Sequence, residues 1–349
     1  MLINNLKLYN YRNYSRKYIE FSPETNIIIG NNGVGKTNIL ESIIFVSNTK
    51  SFRTNNDQNL IKKGEEYSKI EIDADIGKFK VVINKKNKSL FLNDVLVKKS
   101  SDYIGKINAI LFKPDDLELF VQMPSERRKV LNMEINKVSN KYIKTLLQYE
   151  KLLKDKNKLL KELEIDETLL DIIDESMIPL IEIIVKQREE FFEIINKNIS
   201  RIYNEISSEN KNISIIYKKC SEIDEIKKQI KRNREKDYYY HYATYGPHHD
   251  DYYFLMDGEQ VSNVASQGQK RMLLIAFKFC LVEYIQNKTN QVPIILLDDI
   301  LSELDKNNKE RLLNFIPKDI QIIITDTDIN DLKIDRNYKL IEIKEENYV

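Results

Sequence analysis

Cysteine, long apolar runs and net charge are all scarce in this sequence, and each shortage argues against a class of protein. The two cysteines, Cys220 and Cys280, stand apart with no CxxC or Cys/His spacing around them. This pattern disfavours both a disulfide framework and a structural zinc site. No apolar run approaches the roughly 20 residues of a membrane span. Residues 1–15 lack the long apolar core of a signal peptide. We therefore expect a cytoplasmic protein that is not inserted in a membrane.

Charge is nearly balanced, with 55 Lys and Arg residues against 54 Asp and Glu residues and a formal net charge of +1. Such a chain has no global field to attract a polyanion, so affinity for DNA must come from local basic patches. Two clusters are candidates for contact with phosphates, although charge runs are also typical of merely solvated faces. The first contains Lys137, Lys141, Lys144, Lys151, Lys154, Lys156, Lys158 and Lys161. The second contains Lys227, Lys228, Lys231, Arg232, Arg234 and Lys236.

Length and glycine usage predict two lobes, since 349 residues exceed the usual size of a single domain. Glycine is absent between residues 125 and 236, and the one proline of that segment is Pro179. Apolar residues recur there at helical spacing, so we expect long helices in antiparallel hairpins, broken near Pro179. The flanking segments have the character of an α/β fold. Residues 69–76 alternate as a half-buried strand does, and Asp257-Gly258 indicates a hairpin.

Residues 30–37 match the phosphate-binding pattern G-x-x-x-x-G-K-[ST] at every specified position. An apolar strand at residues 27–29 precedes the match and an amphipathic helix follows it, which an ordinary Gly/Asn-rich turn does not require. Backbone N–H groups of such a loop surround phosphates at the positive end of a helix. Lys36 is expected to reach the β- and γ-phosphates, and Thr37 to offer its hydroxyl to Mg²⁺. The predicted nucleoside triphosphate site comprises Gly30, Asn31, Asn32, Gly33, Val34, Gly35, Lys36 and Thr37.

A second apolar strand, residues 294–297, ends in the acidic pair Asp298-Asp299. Acids in this position alone could simply begin a helix, but a phosphate loop needs such a partner. We expect Asp298 to hold Mg²⁺ through its water shell and Asp299 to polarise the attacking water as the catalytic residue. Because loop and acids must meet in space, the helical segment between them is predicted to be an insertion. The expected domains are 1–120, 121–240 and 241–349, with the first and last forming one head.

The string Ser266-Gln267-Gly268-Gln269-Lys270 begins a predicted helix, where Ser266 could act as an N-cap and nothing more. The string nevertheless resembles the signature motif of ABC-type ATPases, and it precedes the acidic strand as it does there. In those ATPases this helix start faces the γ-phosphate held by a second subunit. Ser302-Glu303-Leu304-Asp305 is similar to their D-loop. Asp326 or Thr327 stands where they carry a switch histidine, and this sequence has no histidine at that position.

Together these strings resemble the RecF family, a bacterial group of SMC-like ATPases, and they run in the family's order from residue 1 to about residue 330. The departures are His249 in place of the usual Arg, Met123 in place of Gly and Asn132 in place of Asp. His241, His248 and His249 cluster near one of the matching strings, and we favour a phosphate- or partner-facing loop there over a metal site. The matching strings are YRNY (11–14), GNNGVGKTN (30–38), SFRT (51–54), FKPDDL (112–117), PSERR (124–128), GPHHDD (246–251), SQGQKR (266–271) and LLDDILSELD (296–305).

The resemblance implies an ABC/SMC-like P-loop ATPase head with an inserted helical lobe, and an ATP- and Mg²⁺-dependent clamp on DNA. ATP held by one subunit is closed over by the Ser266 region of another, so ATP drives formation of a homodimer. The dimer binds duplex DNA or single–double-strand junctions, works with RecR and RecO to load recombinase at gaps, and hydrolyses ATP slowly with stimulation by DNA. The family's pattern adds Arg12, Asn13, Asn38, Ser266, Gln267, Gly268, Gln269 and Asp305 to the nucleotide site, and Arg53, Arg127 and Arg128 to the DNA candidates.

Three other classes of protein are compatible with parts of the pattern. An ABC transporter's ATPase subunit normally carries LSGGQ where this chain has SQGQK, and it lacks the large helical insertion. A coiled-coil tether needs longer arms, because two helices drawn from roughly 110 residues span at most about 80 Å at 1.5 Å per residue. A kinase requires an acceptor site and lid arginines that no stretch of the sequence supplies.

Overall fold

The computed structural model describes residues 1–220, 222–328 and 336–344. The chain forms two compact bodies. The first body comprises Met1–Leu117, Arg201–Asn210 and Ser266–Val349, and the second comprises Glu118–Ser200 and Lys211–Ala265. Both ends of the chain therefore build one body, and the segment between them builds the other. No helix among the described residues is long and apolar enough to cross a membrane.

A five-stranded, wholly parallel sheet is the centre of the first body. Apart from residues 338–342 at one edge, its strands consist mostly of buried Ile and Leu, as is typical of parallel strands covered on both faces. All carboxyl ends lie at one edge, where ligands bind in open α/β sheets. The strands, in spatial order, are β14 (Tyr338–Glu342), β3 (Thr25–Ile29), β13 (Ile322–Asp326), β12 (Ile294–Asp298) and β8 (Ala109–Phe112).

A second, antiparallel sheet of the first body has six strands, and the strand predicted at residues 69–76 falls largely within it. Its strands alternate between buried apolar and exposed polar residues, which indicates one covered face. At the last hairpin Asn93 and Asp94 both have positive φ, as a two-residue primed turn requires. The strands, in spatial order, are β2 (Tyr14–Glu20), β1 (Ile3–Tyr11), β4 (Tyr67–Ala74), β5 (Gly77–Asn84), β6 (Lys88–Leu92) and β7 (Val95–Val97).

Three longer helices of the first body place functional residues at their amino termini. They are α1 (Lys36–Asn48), α7 (Gln267–Thr289) and α8 (Lys306–Phe315). Because α1 starts directly after the loop that follows β3, the order strand, loop, helix is the one predicted for a phosphate site. The inward side of α1 is apolar and includes Ile39, Leu40 and Ile43, all fully buried.

The second body combines long helices with a small antiparallel sheet. Its elements are α2 (Pro124–Asn136), α3 (Asn140–Leu159), α4 (Glu167–Ser207), β9 (Ile213–Lys218), α5 (Ile226–Tyr240), β10 (Asp251–Met256), β11 (Glu259–Gln260) and α6 (Val261–Val264). The hairpin predicted at Asp257-Gly258 joins β10 to β11, and both turn residues have positive φ. The helical character predicted for residues 125–236 is therefore observed, apart from the single strand β9.

The helix break predicted near Pro179 is wrong, because α4 runs unbroken from Glu167 to Ser207 with Pro179 inside it. Proline in a helix interior removes one hydrogen bond and costs about 3 kcal/mol. The same helix buries Met177, Ile181 and Ile184 within a turn or two of the proline. Fully burying such side chains contributes roughly 1.5–3 kcal/mol each, so packing outweighs the local penalty.

The observed bodies follow boundaries that differ from the predicted domain limits at two places. β10 and β11 belong to the second body, because β10 pairs along its whole length with β9. Residues 201–210 belong to the first body, where Arg201 pairs with Glu283 of α7 and the carbonyl of Ser207 accepts from Arg311 of α8.

A buried ion pair anchors the 246–251 loop within the second body. Arg188 on α4 and Asp250 are almost fully buried, and Arg188 Nη1 donates to the Asp250 carboxylate at 2.5 Å. Tyr142 and Tyr217 hydroxyls complete the network. Asn132, which replaces the family's usual Asp, accepts from Arg188 Nη2 at 3.0 Å. The substitution leaves Asp250 as the carboxylate that the described structure places on this guanidinium.

Candidate nucleotide-binding site

The loop of residues 30–37 has a conformation that requires glycine where the pattern specifies it. Gly35 is the N-cap residue of α1 and has a φ of 109°. A Cβ atom there would lie 2.7 Å from Asn13 Nδ2, so both backbone conformation and space exclude a side chain. Because Lys36 is the first helical residue, the unpaired N–H groups of the first turn of α1 face the loop. The loop thus forms the anion-binding arrangement that the sequence predicts.

The lysine of the loop lies inside it. Lys36 is 5% exposed, and its Nζ donates to the carbonyl oxygens of Gly30 at 2.7 Å and Asn31 at 3.3 Å. Asn31, Asn32 and Gly33 are exposed at the rim of the loop. A buried ammonium with exposed backbone above it can attract a phosphate without first losing much water, since its desolvation has already occurred on folding.

The threonine of the loop and the first acid of β12 meet, as predicted. Thr37 Oγ1 donates to Asp298 Oδ1 at 3.1 Å, across 261 positions in sequence. Thr325 Oγ1, at the end of β13, donates to the same oxygen at 2.8 Å. Burial raises the pKa of Asp298, and these two hydroxyls oppose that shift by hydrogen-bonding to the charged form. The carboxylate is therefore held in one orientation beside the start of α1.

Asp299 adopts an unusual backbone conformation next to this carboxylate. Its φ is 51°, in the left-handed region that non-glycine residues rarely occupy. Its backbone N–H donates to Thr325 Oγ1 at 3.1 Å, and its carbonyl accepts from Ser302 Oγ at 2.7 Å. Burial, and then the nearby Asp298 charge, raise the pKa of Asp299. An acid with a raised pKa can take up a proton from water more readily, as a general base must.

Asn13 and Asn38 brace the loop from outside. Asn13 Nδ2 donates to the carbonyl of Val34 at 2.8 Å, and Asn38 Nδ2 donates to Asn13 Oδ1 at 2.8 Å. Arg12, which was also predicted to contact the nucleotide, places its guanidinium on the buried carboxylate of Glu41 in α1. The structure therefore gives all three side chains a role in positioning the loop and α1, and direct contact with nucleotide stays a prediction.

The signature segment lies at the amino terminus of α7, where residues 266–268 are exposed. Ser266 is the N-cap: its Oγ accepts from Gln269 N at 3.2 Å, and Gln269 Oε1 accepts from Ser266 N at 3.0 Å. The Gln269 amide also donates to Glu209. Among the described residues, Ser266, Gln267 and Gly268 make no hydrogen bond to the loop of residues 30–37.

Two further predicted positions are defined by local contacts. Asp305 is the N-cap of α8, and its carboxylate accepts from the backbone N–H of Asn308 at 2.9 Å. Asp326 ends β13 at the carboxyl edge of the parallel sheet and is 8% exposed. Its Oδ1 accepts from the N–H of Thr327 at 2.7 Å. Asp326 therefore lies in the row of strand ends that contains Asp298, while Asp305 is engaged in capping.

The residues predicted to hold Mg²⁺ fit that ion. Thr37 and Asp298 supply a hydroxyl and a carboxylate oxygen 3.1 Å apart, and Mg²⁺ prefers hard oxygen ligands. No group of three or more His, Cys, Asp or Glu side chains in the described parts of the chain could hold a metal ion. A site of one carboxylate and one hydroxyl is typical of Mg²⁺ that is bound together with substrate phosphates. Within the described residues, His241, His248 and His249 form no such group.

Two residues of the site belong to none of the sequence motifs that predicted it. Thr325 is fully buried and joins Asp298 to the backbone of Asp299, although it is separated from both by more than 20 positions. Glu41 is fully buried and binds Arg12 and the hydroxyl of Ser51. The available signal in each case is one polar residue in an apolar element: threonine in the β13 run Ile-Ile-Ile-Thr, and glutamate on the inward face of α1.

The two basic clusters are only partly available to a ligand. Lys137 and Lys156 of the first cluster are buried in ion pairs, with Glu134 and with Asp174 and Asp237 respectively. The prediction that these two side chains could contact phosphates is therefore wrong. Arg234 of the second cluster pairs with Asp171 and Asp174, so it is also committed. The exposed members are Lys141, Lys144, Lys151, Lys154, Lys158 and Lys161 on or next to α3, and Lys227, Lys228, Lys231, Arg232 and Lys236 on α5.

Comparison with known sequences matches this chain to a family and to relatives along almost its whole length. The profile of the RecF/RecN/SMC N-terminal domain matches residues 2–347. The DNA replication and repair protein RecF of Oenococcus oeni is 35% identical to this chain over 99% of this chain and 98% of its own length. The RecF protein of Clostridium botulinum strain 657 is 37% identical over 95% of this chain and 94% of its own.

Comparisons of structure lead to the same group. The recombination mediator protein RecF bound to ATP, of the RecFOR pathway, has a TM-score of 0.90 at 30% identity, covering 98% of this chain and 97% of that one. An Smc head domain from Pyrococcus furiosus shares the fold alone, with a TM-score of 0.55 at 20% identity over 99% of this chain and 94% of that one. The predicted ABC/SMC-like ATPase head with an inserted helical lobe is confirmed. By sequence and by structure, this chain belongs to the RecF family.

Proposed function

We propose that this protein is an ATP-dependent DNA-binding clamp of recombinational repair and replication-fork recovery. The observation that carries the proposal is the junction of Lys36, Thr37 and Asp298 at the carboxyl edge of the parallel sheet. Support also comes from full-length relatives named as DNA replication and repair proteins, and from a similar solved protein in complex with ATP. The alternative of a transporter ATPase subunit has no comparable support.

The proposed chemistry is slow hydrolysis of ATP, stimulated by DNA. The first-turn N–H groups of α1 bind the phosphates, and Lys36 balances charge on the β- and γ-phosphates. Thr37 and, through water, Asp298 would hold Mg²⁺, which would supply positive charge beside the phosphate oxygens. Asp299 orients the attacking water and accepts its proton, for which its raised pKa is suited. Thr325 keeps the two aspartates in register by bonding to both.

The proposed active form is a homodimer in which each signature segment completes the partner's nucleotide site. Ser266, Gln267 and Gly268 are exposed, and within the chain they do not bond to the phosphate loop in the described structure. The amino terminus of α7 is exposed beside its capping box, and a helix amino terminus is a favourable position for an anion. ATP bound to one copy would satisfy this helix end of another copy, so ATP would favour the dimer and hydrolysis would release it.

DNA would bind along exposed basic residues of the second body, in a dimer that doubles the number of such faces. The preferred substrates would be duplex DNA and single–double-strand junctions. The proposed partners are RecR and RecO, with which the protein would help load recombinase at single-strand gaps. This assignment draws on the pathway named for the similar solved protein. It places the protein in the cytoplasm, as part of the response to DNA damage.

The proposal is tested by DNA binding with and without ATP, at several salt concentrations. Affinity for duplex DNA should rise with ATP and fall steeply with salt, because each neutralised phosphate releases condensed counterions. Lys36→Ala should weaken ATP binding by on the order of 2–4 kcal/mol, as truncating one partner of a buried charge pair does. The same variant should lose the ATP-dependent gain in DNA affinity.

A matched control is Lys50→Ala, which removes an exposed lysine just beyond the C-terminus of α1. It should bind ATP and DNA as the wild type does. DNA affinity that is indifferent to both ATP and salt would contradict the clamp. Equal ATP affinity of the wild type and Lys36→Ala, by calorimetry with Mg²⁺, would contradict the nucleotide site.

A further inference from the structure

Three exposed tyrosines form a cluster at the carboxyl end of α5. Tyr239, Tyr240 and Tyr242 are 78%, 52% and 45% exposed. Their rings are in contact, with centroids 5.0 Å apart for Tyr239 and Tyr240 and 5.9 Å apart for Tyr240 and Tyr242. Aromatic side chains bury large areas when they can, so a contiguous exposed group marks an interaction surface.

The cluster borders a depression in the surface of the second body with a volume of about 570 Å³. Its other lining residues are Asn233, Glu235, Lys236, Thr244 and His249, so it offers aromatic faces beside one cation, one acid and polar groups. The interplanar angles are 89° for Tyr239 with Tyr240 and 38° for Tyr240 with Tyr242. Because the rings are not coplanar, their exposed faces point in different directions and can each accept a separate flat group.

A row of cations leads along α5 to these rings. Lys228, Arg232, Lys236 and Tyr240 follow one another at i, i+4 spacing, so each is the neighbour of the next in a row that winds around the helix by about 40° at every step. None of these three cations has an ion pair within the parts of the chain that the structure describes. The twelve positions from Lys228 to Tyr240 cover about 18 Å at 1.5 Å per residue.

The charge of this face selects an anionic occupant. The exposed residues of α5 include five cations against one acid, Glu235. Lys227 alone among the five has an ion-pair partner in the described structure, Glu175 at 4.0 Å. An acidic protein surface would match the cations but would leave three adjoining aromatic faces without flat partners. A nucleic-acid strand supplies both regularly spaced phosphates and flat bases.

We propose that Tyr239, Tyr240 and Tyr242 form a stacking platform for unpaired bases of a DNA strand whose phosphates follow Lys228, Arg232 and Lys236. Bases inside a duplex are already stacked on both faces, so they cannot use these rings, whereas unpaired bases can. The inference rests on the proposed DNA-binding function. It assigns the single-stranded side of a junction to this surface and predicts little sequence preference, because every base has a π-face.

The test uses the full chain with ATP and Mg²⁺ and three labelled DNAs: oligothymidylate, a blunt duplex, and that duplex with a single-stranded tail. Replacing all three tyrosines by Leu should weaken binding of oligothymidylate and tailed duplex by about tenfold or more, while blunt-duplex affinity stays unchanged. Stacking of one base is worth about 1–3 kcal/mol, and 1.4 kcal/mol corresponds to tenfold. Replacing them by Phe should preserve binding, since the π-face remains.

Two controls separate stacking from other effects. Tyr18→Leu with Tyr67→Leu removes two other exposed tyrosines, 59% and 48% exposed on the first body, and should change nothing. Equal losses in the Phe and Leu variants would overturn stacking in favour of hydroxyl contacts. Unchanged binding by the Leu variant, or equal weakening of blunt and tailed DNA, would overturn the platform alone. A wild type that binds none of the three DNAs would contradict the proposed function and the platform together.

Discussion

Replacing Thr325 by Val should remove the hydroxyl that joins β13 to Asp298 and Asp299 while preserving the shape of the side chain. The Thr325 hydroxyl donates to Asp298 Oδ1 at 2.8 Å and accepts from the N–H of Asp299 at 3.1 Å. Valine has nearly the same outline, so the surrounding sheet should not collapse or expand. The substitution therefore removes these two hydrogen bonds and a longer one from the same hydroxyl to the Leu297 carbonyl at 3.4 Å.

The expected loss of stability is on the order of 2–4 kcal/mol. A hydrogen bond to a charged group contributes about 1.5–3 kcal/mol, and a backbone N–H left without an acceptor costs about 1–3 kcal/mol. Thr37 still donates to Asp298, so the total should lie in the lower half of the combined range. The pKa of Asp298, already raised by burial, should rise further because the Thr325 hydroxyl is the stronger of the two that lower it.

The assay pairs urea unfolding with ATP turnover at saturating Mg²⁺. Thr325→Val should lower both, whereas Thr325→Ser keeps the hydroxyl and should recover turnover. Thr25→Val is the matched control in the same sheet: the Thr25 hydroxyl is buried and has no hydrogen-bond partner within the described structure. Its removal should be neutral or slightly stabilising. Equal destabilisation by the two valine substitutions would refute the role assigned to Thr325.

Two further predictions concern single titratable groups. Burial lowers the pKa of His248 to about 4, whereas an unfolded histidine titrates near 6.5, so the unfolded state gains a proton first and stability falls as pH drops through that window. Between pH 7.5 and 5.0 this residue should account for about 2 kcal/mol of lost stability. In urea titrations at several pH values, His248→Gln should remove that part of the dependence of stability on pH, whereas His241→Gln, at an exposed position, should not. An identical pH dependence in the wild type and both variants would contradict the argument. Asp299→Asn should reduce ATP turnover by about 100-fold or more, as loss of a general base does. The variant should still bind ATP in calorimetry, and its ATP-bound dimers should last longer. Unchanged turnover would mean that Asp299 is not the base.

Local sequence patterns were sufficient to predict the phosphate loop and the strand and helix that flank it. Gly35 has a positive φ at the N-cap of α1, and the sequence string alone predicts a glycine at this position. The meeting of Thr37 with Asp298 was also predictable, because both follow apolar strands and parallel strands end at one edge. The order of the five strands was not predictable, since no local sequence pattern indicates that β13 lies between β3 and β12.

Tertiary packing determined three features that local sequence rules could not predict. Pro179 stays within α4 because the apolar side chains around it are buried. Lys156 belongs to a charge run that looks exposed in sequence, but Asp174 and Asp237 from two other helices enclose it. Thr325 acquires its role only when β13 is placed beside β12. In each case the deciding partner lies many positions away in the chain.

Light scattering with and without ATP tests the central claim most directly. With ATP and Mg²⁺, the wild type should change from a 41.3 kDa monomer to a particle of twice that mass. Ser266→Arg should bind ATP but stay monomeric, because it places bulk and charge where the partner's γ-phosphate would dock. Ser139→Arg removes an equivalent N-cap from α3 and should dimerise normally, which controls for loss of the cap. A Ser266→Arg protein that dimerises with ATP as the wild type does would contradict the account and leave Ser266 as a helix cap alone.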